Sequence, residues 1–146
     1  MIKVSIDPRV YKDYHGLLRA ACDWLRETQR IPHRLNVTLF TDKNMREFVR
    51  LVDYPEKNAL GIFFLNSRDI IIRQRRYENV KVVKDGRKFK HRLDRFLYVI
   101  MHEFAHYEQF RDGKELSHRN IESRGMHLVR QFKDYWHEQC SLLHSA

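Results

Sequence analysis

The sequence predicts an α+β domain, and three observations carry that expectation. Apolar residues recur at helical spacing in three long stretches, at residues 8–30, 89–104 and 121–136. Strand-length stretches at 2–6, 35–41, 59–65 and 69–73 instead alternate or run apolar between polar turns. No repeat, low-complexity tract or linker divides the 146 residues, so a single domain over 1–146 is expected, long enough to bury a proper core.

Taken in order, Ile2-Lys3-Val4-Ser5-Ile6 alternates as a strand does. Asp7-Pro8 has the form of a helix start, a capping side chain followed by proline at the first helical position. Val10, Tyr14, Leu17, Ala21 and Leu25 then make residues 8–30 an amphipathic helix, ended by Pro32, with Tyr11, Tyr14 and Trp24 as packing residues. Residues 35–41 read as a half-buried strand, and Met45, Phe48, Val49 and Val52 as a short helix. The apolar runs 59–65 and 69–73, around the turn Asn66-Ser67, predict a hairpin. Residues 77–88 are basic, with a turn at Asp85-Gly86, and read equally as a hairpin or a loop. Phe89, Leu93, Phe96, Leu97, Ile100 and Phe104 form a helical stripe, and Gly113 follows the natural end of that helix. Ser117 can cap a last helix whose stripe is Ile121, Leu128, Val129, Phe132 and Tyr135 or Trp136.

Composition narrows the class. Apolar residues at 42% and aromatics at 12% describe a folded globular chain, not a disordered one. The N-terminus lacks the apolar run of a signal peptide, and no stretch approaches the roughly 18 apolar residues of a membrane span, so no membrane partner is expected. Cys22 and Cys140 match no zinc-binding spacing and are expected to be reduced, in a cytoplasmic protein. The net charge of +9 is concentrated: residues 68–95 hold eleven Lys or Arg against four Asp or Glu. A nucleic acid or an acidic protein substrate would suit such a segment, and a merely solvated surface would produce the same count.

Within the long stripe, His102-Glu103-Phe104-Ala105-His106 reads H-E-x-x-H, the pattern of zinc-binding protease helices. With nine His and nine Glu in the chain, shuffling produces such a string roughly once in 30 chains, so context has to support it. On a helix the two histidines stand one turn apart on one face and can reach one metal ion. Glu103 is rotated off that axis, placed to touch a coordinated water without ligating. Both histidines project roughly opposite the apolar stripe, toward a cleft. A catalytic zinc takes three protein ligands, so a third must come from elsewhere in the chain.

Followed by a helix bearing Asn120-Ile121-Glu122-Ser123-Arg124-Gly125, the motif resembles the gluzincin branch of the zincin metallopeptidases, and its small size the minigluzincins. The resemblance spans roughly residues 59–130. It implies a small zincin-like domain, with an N-terminal helix and a short mixed sheet packed on the H-E-x-x-H helix. The hairpin 61–73 is similar to the zincin sheet, whose edge strand holds extended substrate. It implies Zn2+ held by His102, His106 and Glu122, with Gly125 as the small residue that usually follows that glutamate. Two rivals for the third ligand stay open. Asp112 occupies the place of the metzincins' third histidine, although Gln109 stands where that family turns on glycine. His118 fits the intracellular proteases that act on DNA-crosslinked proteins, except that Ser117 replaces the glycine before it.

The implied activity is a zinc-dependent endopeptidase acting on a protein or peptide. Zinc would acidify a water and polarise the carbonyl, and Glu103 as general base would pass the water's proton to the leaving amine. Candidates for a donor to the transition state are His118, His127 and Tyr135. His15, His33, His91, His137 and His144 are scattered and read as structural or surface residues. Two alternatives remain: a nucleic-acid-associated protease of the crosslink type, using His118 and the basic segment 68–95, and an inactive zincin-derived binding module.

Overall fold

A computed structural model describes residues 1–74, 81–82, 88–89 and 92–145. Among these residues the chain is α+β, with four helices, a four-stranded mixed sheet and a two-stranded ribbon. The elements run β1 (Ile2–Ile6), α1 (Lys12–Thr28), β2 (Leu35–Phe40), α2 (Asp42–Leu51), β3 (Gly61–Phe64) and β4 (Asp69–Arg73). They continue with β5 (Lys81–Val82), β6 (Lys88–Phe89), α3 (Arg92–Arg111) and α4 (Ile121–Ser145).

The sheet order is β1-β2-β4-β3. β1 and β2 pair in parallel (Val4 with Val37), as do β2 and β4 (Val37 with Ile70), while β3 returns antiparallel along β4 (Ile62 with Ile71). β4 is therefore an inner strand buried on both faces, which is why Ile70-Ile71-Ile72 is apolar throughout instead of alternating. Ile70 and Ile72, with Leu35, Val37 and Leu39, face the main core under α1 and α3. Ile71 and Ile62 point to the other face, where Met45 and Val49 of α2 cover them. The period of two in the strands thus sorts side chains between two apolar clusters.

The helical layer is tied by aromatic contacts. Tyr14 of α1 meets Phe96 of α3 at 4.6 Å between ring centroids, and Trp24 meets Phe132 of α4 edge-on at 5.8 Å. Tyr14 and Trp24 are core residues as expected, but Tyr11 is 55% exposed. α4 adds Leu128, Val129 and Phe132 to the same core, with Tyr135 partly buried against it.

Three boundaries depart from the sequence expectation. The first helix begins at Lys12, not at residue 8: Asp7 closes a single turn, its Oδ1 accepting the Arg9 N–H at 2.9 Å and its carbonyl the Val10 N–H at 3.0 Å, and Tyr11 then takes an extended ψ of 138° that interrupts the helix. The long helix begins at Arg92, and Phe89 lies in β6 instead of extending its stripe. The last helix begins at Ile121, so Ser117 is not its cap and His118 lies before the helix. Asn120 there has φ of 65°, a left-handed turn that asparagine tolerates better than most residues. The ambiguous basic stretch does contain an antiparallel pair, Lys81–Val82 with Lys88–Phe89. The rest of 75–91 lies outside the described residues, so the basic segment 68–95 is only partly visible. One of its cations, Arg73, is buried, donating to the Lys57 carbonyl at 2.9 Å. No helix among the described residues is long and apolar enough to cross a membrane.

Candidate metal centre

α3 is buried on most of its circumference, since the sheet and α1 pack on one side and α4 on the other. Phe96, Leu97, Ile100 and Phe104 face the core as the stripe requires, while His102 and His106 remain half-buried. α4 crosses at this level. A methyl placed on Gly125 would lie 3.4 Å from the His102 Cα, in ordinary van der Waals contact, so α4 packs directly on the helix beside this histidine.

His118, one of the rivals for the third ligand, completes a cluster with the two motif histidines. One ligand atom from each of His102, His106 and His118 lies within 4.8 Å of the others. The ring centroids are 5.1 Å apart for His102 and His106, 5.3 Å for His106 and His118, and 6.0 Å for His102 and His118. Three imidazoles meeting from a helix and the connection beyond it could hold a metal ion. The donor chemistry fits one. Burial, reinforced by the neighbouring His106 and His118, pushes His102 down to about 4, and burial lowers His106 as well. Both rings are therefore neutral near pH 7, the form that ligates. His102 Nδ1 has no hydrogen-bond partner among the described residues.

Glu103 turns the other way. It is 5% exposed and abuts the edge strand β3, where a methyl on Gly61 would lie only 2.8 Å from its Cγ. Its Oε1 is 3.9 Å from His102 Nε2, and its Oε2 has no hydrogen-bond partner. Burial, aided by the charge of Glu56, pushes its carboxyl up to about 8. Tyr54 packs edge-on against Phe64 of β3, and burial raises its phenol, with the charges of Glu103 and Glu56 raising it further. Tyr54 and Glu56, from the connection between α2 and β3, belong to no motif and went unremarked in the sequence.

The remaining candidates are placed as follows. Glu122 is half-buried in the first turn of α4 and is not a member of the histidine cluster. Asp112 is engaged by Arg111 at 2.8 Å and Arg30 at 3.7 Å, and it too stands outside the cluster. His127 is exposed on α4, and Tyr135 packs against the core. His15 bonds the Val10 carbonyl at 2.8 Å and His33 the Tyr107 hydroxyl at 3.0 Å, the structural roles expected of them. Gln109 was noted only as a departure from a metzincin glycine, yet it touches His106 Nδ1 at 3.1 Å. Its spacing of three from a motif histidine was the available signal.

Comparison of the chain with protein-family models, with curated proteins and with solved structures finds no match.

Proposed function

We propose that the chain is a zinc-dependent endopeptidase of the zincin type. The observation that supports it best is the convergence of His102, His106 and His118 beside the buried, motif-borne Glu103. His102, His106 and His118 would hold the ion in this reading, and zinc is the metal that three imidazoles with an open position suit best. Bound there, zinc supplies Lewis acidity and makes water available as a nucleophile near neutral pH.

The chain's own residues do the rest. Glu103 accepts a proton from the attacking water and returns it to the departing amine, a role its rotation off the histidine axis allows. A carboxyl that the apo pocket raises to about 8 is brought back toward its ionised form by a nearby cation, so metal loading and base strength are coupled.

A second reading of the third ligand has its own support. The N-terminal part of α4 runs beside the site, with Gly125 next to His102 and Glu122 in the first turn. Glu122 would mark the gluzincin branch, and His118 the crosslink-protease branch. The latter reading brings the basic segment into play as a nucleic-acid contact, and salt-dependent DNA binding lost on neutralising residues 75–92 would support it. The peptidase reading itself is tested by incubating the zinc-reconstituted chain with unfolded protein substrates. Chelator-sensitive cleavage, abolished in Glu103→Gln with metal retained, is expected. Cleavage unchanged by that substitution would refute the assigned base.

A further inference from the structure

We infer that Gln109 is a positioning residue of the metal centre, holding His106 as the tautomer that offers Nε2 and anchoring the segment that delivers His118. The inference rests on the metal-centre reading and adds a residue that neither the motif nor the ligand set contains.

Gln109 lies one turn beyond His106, where α3 is about to stop. Gly113 has φ of +70°, its N–H bonds the Phe110 carbonyl at 3.1 Å, and the Lys114 N–H bonds the Gln109 carbonyl at 2.8 Å. This paired closure reverses the chain at the helix end. It brings Ser117 back against the Gln109 side chain, which it meets twice. Gln109 Nε2 donates to the Ser117 carbonyl at 3.2 Å, and the Ser117 N–H donates to Gln109 Oε1 at 3.3 Å.

That double contact settles the orientation of the amide. Flipped, it would set its NH2 against the Ser117 N–H and its oxygen against the Ser117 carbonyl, losing both bonds. The atom that faces His106 Nδ1 at 3.1 Å is therefore the amide oxygen. An amide oxygen only accepts, so Nδ1 carries the hydrogen and the lone pair lies on Nε2. One side chain thus sets the ring nitrogen that His106 presents and holds the backbone one residue before His118. His102 has no such support, for its Nδ1 is unpartnered. Partners of this kind on ligating histidines typically affect metal affinity by about 10–100-fold.

The experiment compares the full chain with Gln109→Met and Gln109→Glu. Zinc affinity is measured by competition with a chromophoric chelator, the His106 tautomer in the apo chain by 15N NMR, and apo stability by thermal melting. Gln109→Met, of similar size with no amide, is expected to weaken zinc binding by about 10–100-fold and to mix the tautomers of His106, with little change in apo melting. Gln109→Glu keeps an acceptor for His106 Nδ1–H and Ser117 N–H but loses the bond to the Ser117 carbonyl, and should restore the His106 tautomer and part of the affinity. Wild-type affinity in Gln109→Met would overturn the inference. So would equal losses in both variants, or a fall in apo melting with the tautomer unchanged, which would mark a purely structural clamp. A wild-type chain that binds no zinc would overturn the metal centre and this inference with it, whereas normal zinc binding beside an unaffected Gln109→Met overturns the inference alone.

Discussion

Glu103 and the motif histidines share one helix but are held by different means. Glu103 faces the sheet, where the Gly61 backbone of β3 closes on it and leaves no space beyond hydrogen. His102 and His106 face α4 and the 112–120 connection, where His118 is exposed and the contacts are a few polar bonds through Gln109. The proposed base is thus held by close packing, and the loop that carries His118 by hydrogen bonds through Gln109. Packing tolerates almost no displacement, while a loop held by polar bonds can adjust as a ligand set closes around an ion. Substitutions on the two sides should therefore behave differently.

The largest contrast is in activity. Glu103→Gln, which preserves shape on the packed side, should lower hydrolysis by about 10²–10⁴-fold while zinc content stays at the wild-type level, as read by peptide cleavage and metal analysis. Next comes the packing itself. Gly61→Ala places a methyl 2.8 Å from Glu103 Cγ and 2.9 Å from Val99 Cγ1, and urea denaturation should show a loss of about 1–3 kcal/mol. Gly125→Ala meets nothing nearer than 3.4 Å and replaces a helical glycine, so the same measurement should show no loss, or a gain of up to about 1 kcal/mol. Equal losses at the two glycines would erase the distinction between the sides.

The pH dependence sharpens the comparison further. In the apo chain Glu103 is raised from its ordinary 4.5 to about 8 by burial and by the charge of Glu56, so the folded state keeps a proton that the unfolded chain releases between those values. Its contribution to stability is complete below about pH 4.5 and is lost as pH rises through about 8. Relative to Glu103→Gln, the apo wild type should lose at most about 1.4 kcal/mol per pH unit across that window. His102, lowered from 6.5 to about 4, contributes in the opposite sense, its share being lost as pH falls through that range, but both chains carry it. Saturating zinc should flatten the Glu103 slope, because a cation at the histidines favours the carboxylate. A slope that is the same in the two apo chains would contradict the burial of Glu103.

Much of this arrangement was legible in the sequence where periodicity governs it. The α3 stripe, the β3–β4 hairpin and the alternation of β2 follow from burial on a helix or a sheet, and Gly113 marked the end of α3. What periodicity cannot reach is the 112–120 connection. Its course depends on a left-handed Gly113, a left-handed Asn120 and the double contact of Gln109 with Ser117, none of which leaves an apolar pattern. Reading Ser117 as the cap of the last helix places His118 on that helix. The later start of α4, at Ile121, leaves it in the connection and sets it against His102 and His106 instead. Tyr54 and Glu56 were hidden for a related reason, since only the fold sets their connection near Glu103.

The central claim is that His118 closes a metal site with the two motif histidines, and zinc content per chain tests it most directly. It is measured after reconstitution and desalting, for the wild type, His118→Ala and Glu122→Ala. The account predicts about one zinc in the wild type, loss in His118→Ala and retention in Glu122→Ala. Retention in His118→Ala with loss in Glu122→Ala would contradict it and give the third position to the glutamate, and a wild type holding no zinc would contradict the metal centre altogether.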